Sequence, residues 1–153
     1  MGDVMTGTRR TPTTSERGVA LLEVALTLPI LLLVAIGIFE FGRAYQTFQI
    51  LTNAAREGAR IAVLPGIDDD AVEERVQEYL AAGQLADADE ADVTIDRDTE
   101  IDIGDDTASA STVEVEYPFT FMVLQGLANL VVDGSTAGEP LTMTTSATMR
   151  NEM

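Results

Sequence analysis

Hydrophobic and polar positions fall into three regimes along the chain. Residues 18–39 form a run of 22 with a single charge, Glu23. A helix rises about 1.5 Å per residue and the hydrocarbon core of a bilayer is about 30 Å thick, so about 20 apolar residues cross it. The run meets that requirement and is the one transmembrane candidate in the sequence. Beyond it the pattern becomes a stripe. Phe41, Tyr45, Phe48, Thr52, Ala55 and Ala59 recur at steps of three and four, Glu40 and Arg43 are spaced to pair at i, i+3, and Pro65-Gly66 ends the element. A helix over 19–63, transmembrane to about residue 39, would extend about 68 Å and stand well out of the membrane. Pro29 removes one backbone hydrogen bond within the span and predicts a kink, with an assembly hinge as the second reading.

The third regime is acidic and shorter in period. Asp68-Asp69-Asp70 followed by Val72, Val76, Tyr79 and Leu80 predicts a capped second helix that ends near Gly83, with acids at its positive end. Val93, Ile95, Ile101 and Ile103 then alternate with Thr94, Asp96, Glu100 and Asp102. Val113, Val115 and Tyr117 alternate with Glu114 and Glu116, and Pro118 is expected to end that strand. A last strand over 141–150 places Leu141, Met143, Ala147 and Met149 on one side and mostly Thr on the other. Residues 119–132 read as an apolar loop or short helix, serving either as core or as a contact surface. The expected fold is therefore α+β: a long N-terminal membrane-spanning helix carries on its outer part a small antiparallel sheet of three or four strands, and residues 64–153 form an acidic extracytoplasmic domain.

Composition narrows the chemistry. The chain has 153 residues, no His, no Cys and no Trp, and its nine basic residues are all Arg. Disulfides, thiolate metal sites, Cys nucleophiles and His acid/base chemistry are excluded. Against those nine stand 26 acids, a net charge of −17, which repels phosphate backbones and argues against nucleic-acid binding. The acids fall on alternating strand positions, whose simplest explanation is a solvated face, so no enzymatic activity and no cofactor are expected. Asp87, Asp89 and Asp92, with Glu90, are weak candidates for calcium, as are Asp96 and Asp98 with Glu100, since neither group has the spacing of an EF-hand loop.

Charge also orients the span. Arg9, Arg10 and Arg17 precede it against only Asp3 and Glu16, and the acidic region follows it. The positive-inside rule places the N-terminus in the cytoplasm and the C-terminal domain outside the cell membrane. A secretory signal would need a small-residue cleavage site after the apolar run, where Glu40-Phe41-Gly42-Arg43 stands instead. A twin-arginine signal would need an apolar start after Arg9-Arg10, where Thr-Pro-Thr-Thr stands. A plain single-span anchor explains everything except Glu23, because an acid inside a membrane helix costs about 2.5 to 3.5 kcal/mol at mid-span. Either Glu23 snorkels to the nearby interface or it has a partner.

Glu16-Arg17-Gly18, then Val19-Ala20-Leu21-Leu22-Glu23, then a continuous apolar run, resembles the type IV prepilin signature. The resemblance implies that a membrane-bound prepilin peptidase cuts between Gly18 and Val19, removing a cytoplasmic leader, residues 1–18, and leaving Glu23 fifth in the mature chain. A neighbouring subunit's N-terminal ammonium would then neutralise the Glu23 carboxylate inside a filament and set the axial register. The segment Leu51-Thr52-Asn53-Ala54-Ala55-Arg56-Glu57-Gly58-Ala59-Arg60 is the most distinctive part of the chain. Its small residues leave a face on which another backbone can pack closely, while Arg56 and Arg60 lie one turn apart on another stripe. Together with Leu28-Pro29 and Phe39-Glu40-Phe41-Gly42-Arg43 it closely resembles the TadE-like family, the minor pilin-like proteins or pseudopilins of the tight-adherence system.

That resemblance covers residues 16–62 and returns weakly at 113–119 and at Ala147-Thr148-Met149-Arg150. It implies a membrane-inserted subunit that helps assemble or initiate an adhesion pilus. The implied partners are the prepilin peptidase, other pilins, the inner-membrane assembly platform and the lipid membrane. The alternative is a single-pass anchored acidic module that binds a surface or calcium and never enters a filament.

Overall fold

The structure is a computed structural model, and it describes residues 14–124, 126 and 140–151. Its elements in chain order are α1 (Thr14–Ala62), α2 (Asp69–Ala82), a single 3-10 turn (Ala88–Glu90), β1 (Asp92–Ile103), β2 (Asp106–Phe119) and β3 (Leu141–Arg150). The chain divides into two compact units, Met1–Ile38 and Phe39–Met153. The division assigns the outer part of α1 to the same unit as the acidic domain.

In the first unit the described residues are all helix. The 18–39 run has long aliphatic side chains all round, and nearly all of them are exposed, Leu21 and Ile38 at 71% each. A soluble core helix would bury such residues, since apolar surface left in water costs about 25 cal/mol per Å². An apolar helix with no buried window fits a single-pass membrane protein. Helix α1 begins at Thr14, five residues before the expected start, because nothing in Ser15-Glu16-Arg17-Gly18 breaks a helix and an acid near the N-terminus is favourable. It is assigned as helix without interruption through Pro29.

In the second unit the three strands form one antiparallel sheet in the order β1-β2-β3. Its inner face carries Val113, Val115, Tyr117 and Phe119 from β2 and packs with Leu51, Ala54, Ala55, Ala59 and Ala62 of α1 and Val72, Val76 and Leu80 of α2 in one core. From β3, Met143, Ala147 and Met149 pack against that core and Thr145 is buried among it, as the alternation predicted. The second helix also matches: Asp68 caps it by accepting the Ala71 N–H at 3.0 Å, and Gly83 closes it. The β1-β2 connection is a two-residue turn, Gly104-Asp105, in which Gly104 takes φ +67°, as a primed hairpin turn requires.

Two expectations need correction. Val93, Ile95, Ile101 and Ile103 do not share a face. The β1-β2 register slips between Asp96 and Thr99, so that Arg97 and Asp98 together oppose Ser111. Because side-chain direction has period two, a one-residue bulge turns Ile101 and Ile103 to the face opposite Val93 and Ile95. Second, Pro118 does not end β2, which runs on to Phe119 and pairs Pro118 with Thr142. Pairing with β1 stops at Asp92↔Glu116, so past that point β2 is an edge on one side, where a missing N–H costs no ladder bond. The stripe read along the outer part of α1 divides: Ala55 and Ala59 pack in the core, and its aromatic members do not. Phe41 is 72% exposed and Tyr45 and Phe48 are exposed beside it, whereas Glu40 is fully buried. The sheet approaches the side of α1 lined by alanine and glycine, since only small residues let strands and helix come that close. Of the apolar segment 119–132, Phe119 is buried and Phe121 packs against the core. Residues 125 and 127–132 lie outside the described residues.

Candidate membrane and assembly site

The sequence-predicted site residues fall in two groups, one in each unit. In the first, Gly18, Val19, Glu23 and Pro29 all lie in α1, and all four are exposed. A Cβ added at Gly18 would meet nothing within 4 Å, so this glycine is not there to relieve crowding. Glu23 is the one charge among 21 otherwise uncharged residues of the run, and its backbone carbonyl accepts the Thr27 hydroxyl at 2.8 Å. Among the described residues no cation pairs with the Glu23 carboxylate, and an acid within a membrane-spanning helix is costly without a partner.

In the second unit Ala55, Gly58 and Ala59 are fully buried against the sheet and α2. A Cβ at Gly58 would stand 2.6 Å from Val76 Cγ2 and 3.1 Å from Val113 Cγ1, so this position has room only for hydrogen. The backbone that packs on this small-residue face thus comes from the chain's own sheet and second helix. Glu57 sits on the rim of that contact. Its carboxylate accepts from Arg60 Nε and Nη2 at 2.9 and 2.8 Å and from Arg75 Nη2 on α2 at 3.0 Å, clasping the two helices together. Hydrogen bonding to Arg60 is the largest influence holding Glu57 at a pKa of about 2, against opposition from burial, with Arg75 adding to the shift. Arg56 and Asn53 remain exposed.

Residues 18–60 match the TadE-like protein family. The match ends at Arg60, the last member of the Glu57 clasp on α1, so the TadE-like segment takes in the apolar run, Glu23 and the buried small-residue face together. No curated protein and no solved structure matches the chain.

Around the TadE-like segment the structure gathers residues that sequence alone did not single out. Arg97, in the β1 bulge, donates to the Ala62 carbonyl at 2.6 Å, to the Ile67 carbonyl at 3.1 Å and to Asp69 at 2.7 Å. It thereby ties down the end of α1 and the start of α2. An arginine in place of an apolar residue within an alternating strand was the available signal. Glu40 pairs with Arg43 at 2.9 Å as the spacing predicted, and it also accepts the Val123 N–H at 2.6 Å. Arg43 in turn lies 5.1 Å from the Phe119 ring centroid.

A cleft of about 190 Å³ opens beside this pair, lined by Arg43, Gln46, Asp87 and Tyr117 among others. The Tyr117 hydroxyl donates to the Ala86 carbonyl, and burial, then the charges of Asp87 and Glu90, raise its pKa while Arg43 opposes them. Asp87, Asp89 and Asp92 do not converge: among the described residues no three acids form a group that could hold a metal ion.

Proposed function

We propose that the chain is a membrane-inserted minor pilin or pseudopilin of a tight-adherence pilus, a structural subunit without enzymatic activity that helps assemble or initiate the filament. One observation carries the reading: the TadE-like match begins at Gly18, at the start of the apolar run, and takes in Glu23 as the only charge on a span whose side chains are nearly all exposed. On this reading a prepilin peptidase removes residues 1–18 at the cytoplasmic face, and the helix stays in the product. The new ammonium at Val19 of one subunit approaches Glu23 of another and offsets the cost of a carboxylate in an apolar setting. Other pilins and an inner-membrane assembly platform are the partners of the 19–38 helix, and the acidic domain lies outside the cytoplasm.

The deciding experiment is intact mass and end sequencing of the protein recovered from its native membranes. Loss of residues 1–18 with Val19 exposed supports pilin-type processing, while a retained basic leader leaves a plain membrane anchor. Glu23→Leu separates the two further. A subunit that assembles keeps its membrane level but leaves the filament fraction, whereas an anchored module is unaffected or inserts better.

A further inference from the structure

The membrane-proximal end of the acidic unit has an unusual surface. Glu40 is the first residue after the apolar run, and its carboxylate is fully buried, enclosed by Arg43 and the Val123 N–H. That bond fastens the segment after β2 to the first residue past the apolar run. Around it the exposed side chains are apolar: Phe39 and Phe41 on α1, Met122 at 68% and Val123 at 40% on the fastened segment, and Leu141, the β3 residue paired with Phe119. In a chain of net charge −17, residues 117–132 form a stretch of 16 with no charge at all, the longest outside the span. The one cation here, Arg43, is partly exposed, and the nearest acid along β2 is Glu116, three residues back from Phe119 and about 10 Å away at strand rise.

We propose that residues 121–123, with Phe41 and Leu141, form a foot that seats the acidic unit in the headgroup and acyl boundary of the bilayer. The proposal rests on the reading of 18–39 as a membrane span. Continuity decides the occupant: a segment hydrogen-bonded to the first residue past a lipid-exposed helix lies at the interface, where exposed aromatic and aliphatic side chains gain by leaving water. Burying and pairing Glu40 leaves no bare carboxylate there among the described residues, and Arg43 suits anionic headgroups. Glu116 limits the depth to the interface. The foot would hold the acidic unit against the membrane before any assembly.

Because the chain has no cysteine, single labels report single positions. Full-length Met122→Cys, Thr144→Cys and Leu28→Cys are each coupled to an environment-sensitive fluorophore. They are then reconstituted in phosphatidylcholine and phosphatidylglycerol vesicles containing lipid spin-labelled near the headgroup. The Met122 label should be quenched several-fold more than the Thr144 label on the outer sheet face, and its quenching should be independent of protein density in the membrane. Equal quenching at the two positions overturns the proposal. So does protection of Met122 that appears only at high protein density, which would mean that a second copy covers the foot. Leu28 is the reference: if its label also escapes quenching by spin probes placed deep in the acyl chains, the span itself is refuted and the foot with it. A buried Leu28 label beside a water-exposed Met122 label refutes the foot alone.

Discussion

Replacing Gly58 by alanine tests whether the small-residue face of α1 is a socket for the chain's own sheet. The added methyl would lie 2.6 Å from Val76 Cγ2 and 3.1 Å from Val113 Cγ1, and both valines are fully buried, so neither has free space to retreat into. Overpacking of this kind costs about 1 to 3 kcal/mol. The same substitution improves helix propensity by about 1 kcal/mol, which partly masks the clash. Gly42 supplies the correction. It lies in the same helix, and a Cβ there meets nothing within 4 Å, so Gly42→Ala collects the helix gain alone. The two variants should therefore differ by about 1 to 3 kcal/mol, with Gly42→Ala more stable than the parent and Gly58→Ala less stable or level. Urea unfolding of the full chain in detergent micelles, followed by tyrosine fluorescence, measures both on one scale. Equal shifts for the two alanines would refute the reasoning and return the face to an outside partner.

Glu57→Gln should lower stability at neutral pH by about 1 to 2 kcal/mol, after discounting the carboxylate's shift for the exposure of its two arginines. The folded pKa of about 2 lies below the ordinary 4.5, so the clasp stabilises fully above the unfolded value and is lost as pH falls from 4.5 toward 2. The gap between parent and variant in urea should close over that range, and a gap constant down to about pH 2 would contradict the clasp. Arg97→Ala should cost about 1 to 3 kcal/mol because it strands the Ala62 and Ile67 carbonyls, and a neutral result in the same assay would count against Arg97 as the lock on the helix connection. Tyr117→Phe should cost about 1 kcal/mol through loss of the Ala86 bond and should abolish the highest tyrosine ionisation in an absorbance titration, above the ordinary 10.0.

Elements whose signal is local were legible in the sequence. The apolar run, the Asp68 cap, the Gly83 stop and the β3 alternation each depend on a few neighbouring residues, and all four stand as read. What was not legible depends on residues far apart. The bulge at Arg97 and Asp98 has no pattern of its own, yet it reverses the facing of Ile101 and Ile103. Hydropathy ranks Phe41 and Tyr45 above Glu40 for burial, and the fold inverts that order because β2 docks where α1 is thin, at Ala54, Ala55 and Gly58. Pro118 reads as a stop only while the neighbour on that side of β2 is unknown. For the site, Glu23 stood out as the single charge in the apolar run, and Gly18 and Val19 only through the resemblance to the prepilin signature, whereas the Glu57 clasp needed α2 to bring Arg75 within reach.

The way α1 is tied to the end of the chain bears on the order of events during synthesis. Glu40 waits for Val123, 83 residues later, and Thr52 for Thr145, 93 residues later. Closure of the acidic unit is therefore dominated by long-range contacts, the class that forms slowly. The span can partition into the bilayer as soon as it leaves the ribosome, but the groove of alanines and Gly58 stays open until Val113 and the rest of β2 have been made. A nascent or truncated chain that lacks β2 would present that bare groove as a surface for chaperones and proteases to recognise.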